Sequence, residues 1–183
     1  MADLSQVHVL ILATDGFEQS ELFEPRQALL DAGAQVTLAS LGTDPIQGMK
    51  HDEKGDTITP DLVLNAVDTE EYTALLLPGG VANPDRLRMD DRAVEIVEEF
   101  ADDGKLIAAI CHAPWLLIEA DVVDGVRMTS WPSVRTDLAN AGASVVDEEV
   151  VRDGQFITSR KPDDIPAFNR ALIAALEEEM VEA

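Results

Sequence analysis

"KLIAAICHAPWLL", residues 105–117, holds the chain's one cysteine, Cys111, with His112, one of three histidines, directly behind it. The run before the cysteine is short, apolar and rich in β-formers, the pattern of a strand buried on both faces. Residues 114–120 read as a helix. A strand that runs straight into a helix is one half of a parallel α/β repeat, and the rest of the chain supplies the other parts.

Residues 7–14, "VHVLILAT", form a buried-strand pattern. The helical pattern after it has Leu22, Leu29 and Leu30 on one face and ends at Gly33. "AQVTLAS", residues 34–40, is a second strand, so the chain opens with a βαβ unit. Residues 42–56 are polar and glycine-containing, a loop with short strands. "YTALLLPGG", residues 72–80, is a third buried strand running into a glycine turn. Residues 91–101 are helical, with Val94, Ile96 and Val97 facing inward. Strands over residues 144–151 and 155–159, parted by the turn "RDG", precede an amphipathic helix over residues 165–181. The alternation predicts one α/β domain spanning residues 1–183, its mostly parallel central sheet covered by helices on both faces. Ligand sites in such sheets lie beyond the carboxyl ends of the strands. Three strand ends therefore matter: "ATDGFE", "LPGG" and "AICHAP".

Cys111 occupies the place of a nucleophile elbow, a sharp strand-to-helix turn that lifts one side chain over the sheet. Only such a turn lets side chains adjacent in sequence meet, since neighbours in a strand point to opposite faces. His112 is then a base or an imidazolium partner. The helix start favours thiolate over thiol. Gly79 and Gly80 let backbone N–H groups approach a ligand, and the N–H groups of Gly80 and His112 are candidates for an oxyanion hole. A protonated Glu18, just past the first strand, is able to donate a hydrogen bond to sulfur. It also suits the first turn of a helix, where acids are common. His8 reads as a sheet-end histidine, and His51 has no assigned role. Adjacent cysteine and histidine do not suit the usual zinc spacings, so no metal and no cofactor are expected.

Asp and Glu number 36 against 13 Lys and Arg, a formal charge of −23, and only four of the basic residues are lysines. The acids are spread along the whole chain. Such a domain repels itself in dilute salt and is relieved at molar salt, where the Debye length is about 3 Å. This predicts a halophilic protein. The charge argues against nucleic acid or an anionic membrane as partner. There is no signal-peptide pattern, residues 7–13 are too short to cross a bilayer, and a lone cysteine fits a reducing compartment, so a cytoplasmic location is expected.

Five segments, "ATDGFEQSEL", "LLLPGG", "AICHAPWLL", "DVVDGVRMTS" and "TSRKPDDIPAFNR", together resemble the ThiJ/PfpI family of the class I glutamine amidotransferase-like superfamily. The likeness is closest to the PfpI-type branch and runs from residue 7 to about residue 176. It implies a flavodoxin-like fold, with Cys111 as nucleophile and His112 as the histidine that follows it. It also implies Glu18 as the acid bonded to the cysteine and Gly80 as the oxyanion-hole glycine. Asp85 falls where relatives supply an acid to the histidine, often from a neighbouring subunit. A homo-oligomer (dimer, trimer or hexamer) would complete such a site. Ala113 replaces a frequent glycine, and Trp115 a smaller or polar residue; both bear on the shape of the pocket. The implied function is cysteine-dependent action on reactive dicarbonyls or their protein adducts, of glyoxalase or deglycase type. An intracellular cysteine peptidase and a non-enzymatic redox sensor or chaperone are the alternatives.

Overall fold

The computed structural model describes residues 3–183. From the N-terminus the elements are β1 (His8–Leu12), β2 (Phe17–Glu18), α1 (Gln19–Asp31), β3 (Gln35–Ser40), β4 (Ile46–Lys50), β5 (Glu53–Ile58), β6 (Leu62–Val63), β7 (Ala74–Leu77), α2 (Ala82–Leu87) and α3 (Asp91–Asp102). They continue as β8 (Leu106–Ile110), α4 (Pro114–Glu119), β9 (Arg127–Met128), α5 (Arg135–Asn140), β10 (Ser144–Val145), β11 (Val151–Asp153), β12 (Phe156–Ser159) and α6 (Ile165–Glu182).

Seven strands form the main sheet in the order β11-β12-β8-β7-β1-β3-β6. Every pairing is parallel except the β11–β12 hairpin. The sheet buries both faces, and the period of two in the strands sorts the residues between them. Leu10, Leu12, Leu75, Leu77, Ile107 and Ala109 join one core with α3 and α4. Val9, Ile11, Leu76, Leu106, Ala108 and Ile110 join the other with α1 and α6. The α3 residues Ala93, Ile96, Val97 and Phe100 are fully buried, at spacings that keep them on one helix face.

From β1 the chain first builds outward through β3, then returns to the other side of β1 with β7. This reversal places a crevice beyond the carboxyl ends of β1 and β7, beside that of β8. The small sheet β2-β4-β5 stands next to it. Hydrogen bonds from Gln47 N–H to Asp15 Oδ1 (2.8 Å) and from Asp56 N–H to Gln19 Oε1 (2.6 Å) tie the β4–β5 hairpin to the β1–α1 connection.

Two readings need correction. Leu30 is 37% exposed and stands off the buried face of α1, which runs through Leu22, Pro25 and Leu29. The strand expected over residues 144–151 stops at Val145. Asp147 and Glu148, which follow, instead take ion pairs from Arg135, Arg160 and Arg127, a use of side chains that a hydrophobic pattern does not register. Residues 82–87, just past the Gly79–Gly80 turn, form the short helix α2. Among the described residues no helix is long and apolar enough to cross a membrane.

Candidate active site

Cys111 leaves β8 with a φ of 66°, the left-handed backbone of a sharp elbow. The turn is held on both sides: Cys111 N–H donates to Ser159 O (3.0 Å), and Trp131 N–H donates to Cys111 O (2.9 Å). Left-handed backbone costs an ordinary residue on the order of 1 kcal/mol or more, and such strain gathers at functional sites. It brings Cys111 Sγ to 3.0 Å from His112 Nδ1.

The His112 ring is fixed by aromatic neighbours. Trp131 stacks on it at 5.7 Å with an interplanar angle of 22°, and Trp115 meets it edge-on at 5.1 Å. Trp115 is itself tethered by its Nε1–H to Asp137 Oδ2 (3.0 Å). Burial lowers the pKa of His112, so the ring is neutral at neutral pH and Nδ1 is free to accept from the thiol. Trp115 thus backs the histidine. Ala113 is buried in the core with Leu116 and Leu117 and does not narrow the cleft.

Gly79 and Gly80 end the loop after β7. A Cβ on Gly79 would come within 2.6 Å of Cys111 Cβ and 2.5 Å of Glu21 Oε1. Gly80 has φ 82°, and a Cβ there would strike Gly16 O and the Glu18 amide. With no side chains in the way, the N–H groups of Gly80 and His112 face the Cys111 sulfur. Asn83, fully buried, holds the loop: its Nδ2 donates to Pro78 O (2.9 Å) and Gly79 O (3.0 Å), while its Oδ1 accepts from Thr14 N–H (2.8 Å). One amide thereby locks the ends of β1 and β7 together.

The carboxyl that faces the sulfur is Glu21 rather than Glu18. Glu21 is completely buried, and neither oxygen has a partner in good hydrogen-bond geometry among the described residues. The polar groups around it are the N–H groups of Gly79 and Gly80 and the Cys111 thiol. Burial, reinforced by Glu18, pushes its pKa up to about 8, so it is protonated at neutral pH. Glu18 is turned to the cleft wall, where its carboxylate accepts His51 N–H at 3.1 and 3.3 Å. The distinction follows from the helix: Glu21, Pro25 and Leu29 repeat every four residues along the buried face of α1, whereas Glu18 precedes the helix. An acid on an otherwise buried stripe was the signal available in the sequence.

The expected bias toward thiolate from the helix start is not found. Burial pushes its pKa up, and the Glu21 carboxyl, when ionised, pushes it further; the N–H groups of Gly80 and His112 oppose both. Cys111 and Glu21 are two acids in one buried corner, and a proton on Glu21 removes the charge that most resists a thiolate.

These groups open on a cleft of about 670 Å³, whose walls include Gly16, Met49, His51, Val81, Trp131 and Pro162. His51, at the tip of the β4–β5 hairpin, has φ 59°. The distance in sequence between its loop and the elbow concealed this placement, as it did that of Trp131. His8 is where the sequence put it, at the start of β1 with Nε2 2.7 Å from Thr37 Oγ1. Asp85 lies on α2, exposed, with no side-chain hydrogen bond to His112 among the described residues. No three His, Cys, Asp or Glu side chains among the described residues are grouped to hold a metal ion.

The sequence profile of the DJ-1/PfpI family matches residues 7–175. General stress protein 18 of Bacillus subtilis is 43% identical over 170 residues, which cover 92% of this chain and 97% of that protein. Protein/nucleic acid deglycase 2 of Escherichia coli is 42% identical over 170 residues, covering 92% and 96%. The crystal structure of Drosophila melanogaster DJ-1beta superposes with a TM-score of 0.86 at 31% identity, covering 97% of this chain and 91% of that one. With nearly the whole chain matched in sequence and the same parallel sheet in the solved structure, this protein belongs to the DJ-1/PfpI family.

Proposed function

We propose that the chain is a cysteine-dependent enzyme of dicarbonyl stress protection, acting on methylglyoxal-type dicarbonyls or on the adducts they form with proteins. The observation that carries this is the Cys111 Sγ at 3.0 Å from the Nδ1 of a neutral His112, open to a cleft and facing two backbone N–H groups. The names of relatives as deglycases and as a stress protein support the same reading.

In the reaction, His112 takes the thiol proton as sulfur adds to the aldehyde carbon. The C–S bond forms, and the carbonyl oxygen becomes an oxyanion held by the N–H groups of Gly80 and His112. Protonation gives a hemithioacetal. Loss of the proton on the former aldehyde carbon and its return to the adjacent carbon convert the hemithioacetal to the thioester of a 2-hydroxy acid. Water then cleaves the C–S bond, releasing the acid and restoring the thiol. The internal shift oxidises one carbon and reduces its neighbour, so no external oxidant or reductant is needed. For an amine adduct, sulfur takes the same carbon while its C–N bond breaks and the leaving nitrogen receives a proton.

Glu21, protonated, keeps a second negative charge out of the corner. Asp85 completes the site from a neighbouring subunit of a homo-oligomer, on the free side of His112. The enzyme works in a cytoplasm of molar salt, and its negative surface turns nucleic acid away. The direct test is methylglyoxal conversion to lactate in molar KCl, comparing wild type with Cys111→Ser. Lactate formation by the wild type and none by the variant, with unchanged circular dichroism, is expected; equal rates would refute the reading.

A further inference from the structure

A second groove, of about 390 Å³, adjoins the cleft and shares Glu18, His51 and Pro162 with it. Ser20, Phe23 and Lys50 line its far side. The partition between the two is the Glu18–His51 pair, fixed by the hydrogen bonds from His51 N–H to the Glu18 carboxylate. His51 is in the left-handed region there, so the carboxylate holds a strained hairpin tip in place as a wall. Phe23 is half-buried and packs edge-to-face on Phe17 at 6.0 Å. With Pro162 it gives the groove an apolar lining.

The main cleft alone is of the size that encloses a drug-sized ligand, well beyond a three-carbon dicarbonyl. A larger substrate that places its modified side chain at Cys111 and extends along the Pro162 side crosses the Glu18–His51 wall into the second groove. In an extended peptide, successive side chains alternate, and the residue two positions away returns to the same side roughly 6.6 Å further on. We infer that the groove is a specificity subsite for a peptide-borne adduct, taking an apolar side chain two residues from the modified one. This rests on the proposed function and adds to it a preference for adducts on polypeptide, in an apolar local sequence.

The test uses the full-length protein and heptapeptides carrying one methylglyoxal-modified arginine, with leucine, glycine or aspartate two residues to either side. Burying the leucine side chain predicts kcat/KM about tenfold above the glycine peptide, with aspartate lowest. Ser20→Trp fills the groove and should abolish the leucine preference while leaving turnover of free methylglyoxal unchanged. Phe23→Ala, which empties the groove instead, should reduce the same preference and serves if the tryptophan variant does not fold. Equal rates for all peptides beside normal methylglyoxal turnover would overturn the subsite and leave the proposed function standing. A leucine preference that survives both variants would also overturn it. No turnover of methylglyoxal or of any peptide would bring down both readings together.

Discussion

Glu21 and Cys111 meet in one buried corner of the cleft beside Gly79, too close for any side chain to stand between them. Their protonation is therefore shared, and the pH behaviour of the protein should carry its mark. In the folded chain Glu21 holds its proton to about pH 8, against an ordinary value of 4.5. Between those values the unfolded chain binds fewer protons than the native one, so stability falls as pH rises. The contribution is present in full below pH 4.5 and gone above about pH 8. Its full size is on the order of 5 kcal/mol. Glu21→Gln keeps the shape and cannot ionise. Relative to that variant, the wild-type melting temperature should drop by on the order of 10 °C from pH 5 to pH 8.5. Parallel curves for the two proteins would show that Glu21 does not titrate in this range.

The same pair governs the thiol. At pH 6 Glu21 is neutral in the wild type, and Glu21→Gln should alkylate with iodoacetamide at a similar rate. At pH 9 the wild-type carboxylate opposes thiolate formation while the glutamine does not. The ratio of variant to wild-type rate should rise several-fold between the two pH values. A constant ratio would mean that the two groups are uncoupled.

Stacking of Trp131 on His112 substitutes for a hydrogen-bonded orienting group within one chain. Trp131→Ala should leave the fold intact and lower methylglyoxal turnover on the order of tenfold to a hundredfold through kcat, because a misplaced base loses alignment. Trp131→Phe should restore most of it. A change in KM alone would assign Trp131 to substrate contact.

With 36 acids and 13 bases, most carboxylates have no cation to pair with. The melting temperature should climb steadily from low salt to molar KCl as this repulsion is screened. A flat or falling midpoint would remove the halophilic reading.

The sheet was legible because its strands are buried on both faces and so appear as unbroken apolar runs, as in residues 106–110. Cys111, His112, Gly79 and Gly80 were legible because strand ends in a parallel sheet converge. What local pattern withheld was depth and long-range assembly. Glu18 and Glu21 are three residues apart, but Glu18 ends β2 at the cleft wall while Glu21 lies on the buried face of α1. Trp131 and His51 reach the cleft through crossings that no spacing encodes. Leu30 was misplaced because one residue of helical phase turns a side chain by about 100° away from the buried face of Leu29.

Asp85 bears on whether the site is whole within one chain. It sits on the outward side of α2 between Val81, 57% exposed, and Met89, 82% exposed, each four residues away. Val81 stands at the N-cap of α2 and lines the cleft, and Met89 follows just past the C-cap. Two exposed apolar residues flanking an acid suit a contact with a second copy, which would carry Asp85 to the partner's His112. A carboxylate there would fix the tautomer with Nδ1 free to accept from Cys111, and would stabilise the imidazolium formed as the proton moves. Asp85→Ala should then cost on the order of a hundredfold in turnover while the isolated subunit remains folded. Mixing Asp85→Ala with Cys111→Ala should restore part of the activity, because some sites combine Cys111 from one chain with Asp85 from the other. Subunit exchange is verified by mass spectrometry of the mixture. Confirmed exchange without recovery rules out the shared site. Near wild-type turnover by Asp85→Ala alone would mean that Trp115 and Trp131 suffice to hold the imidazole, and that α2 contributes only its packing.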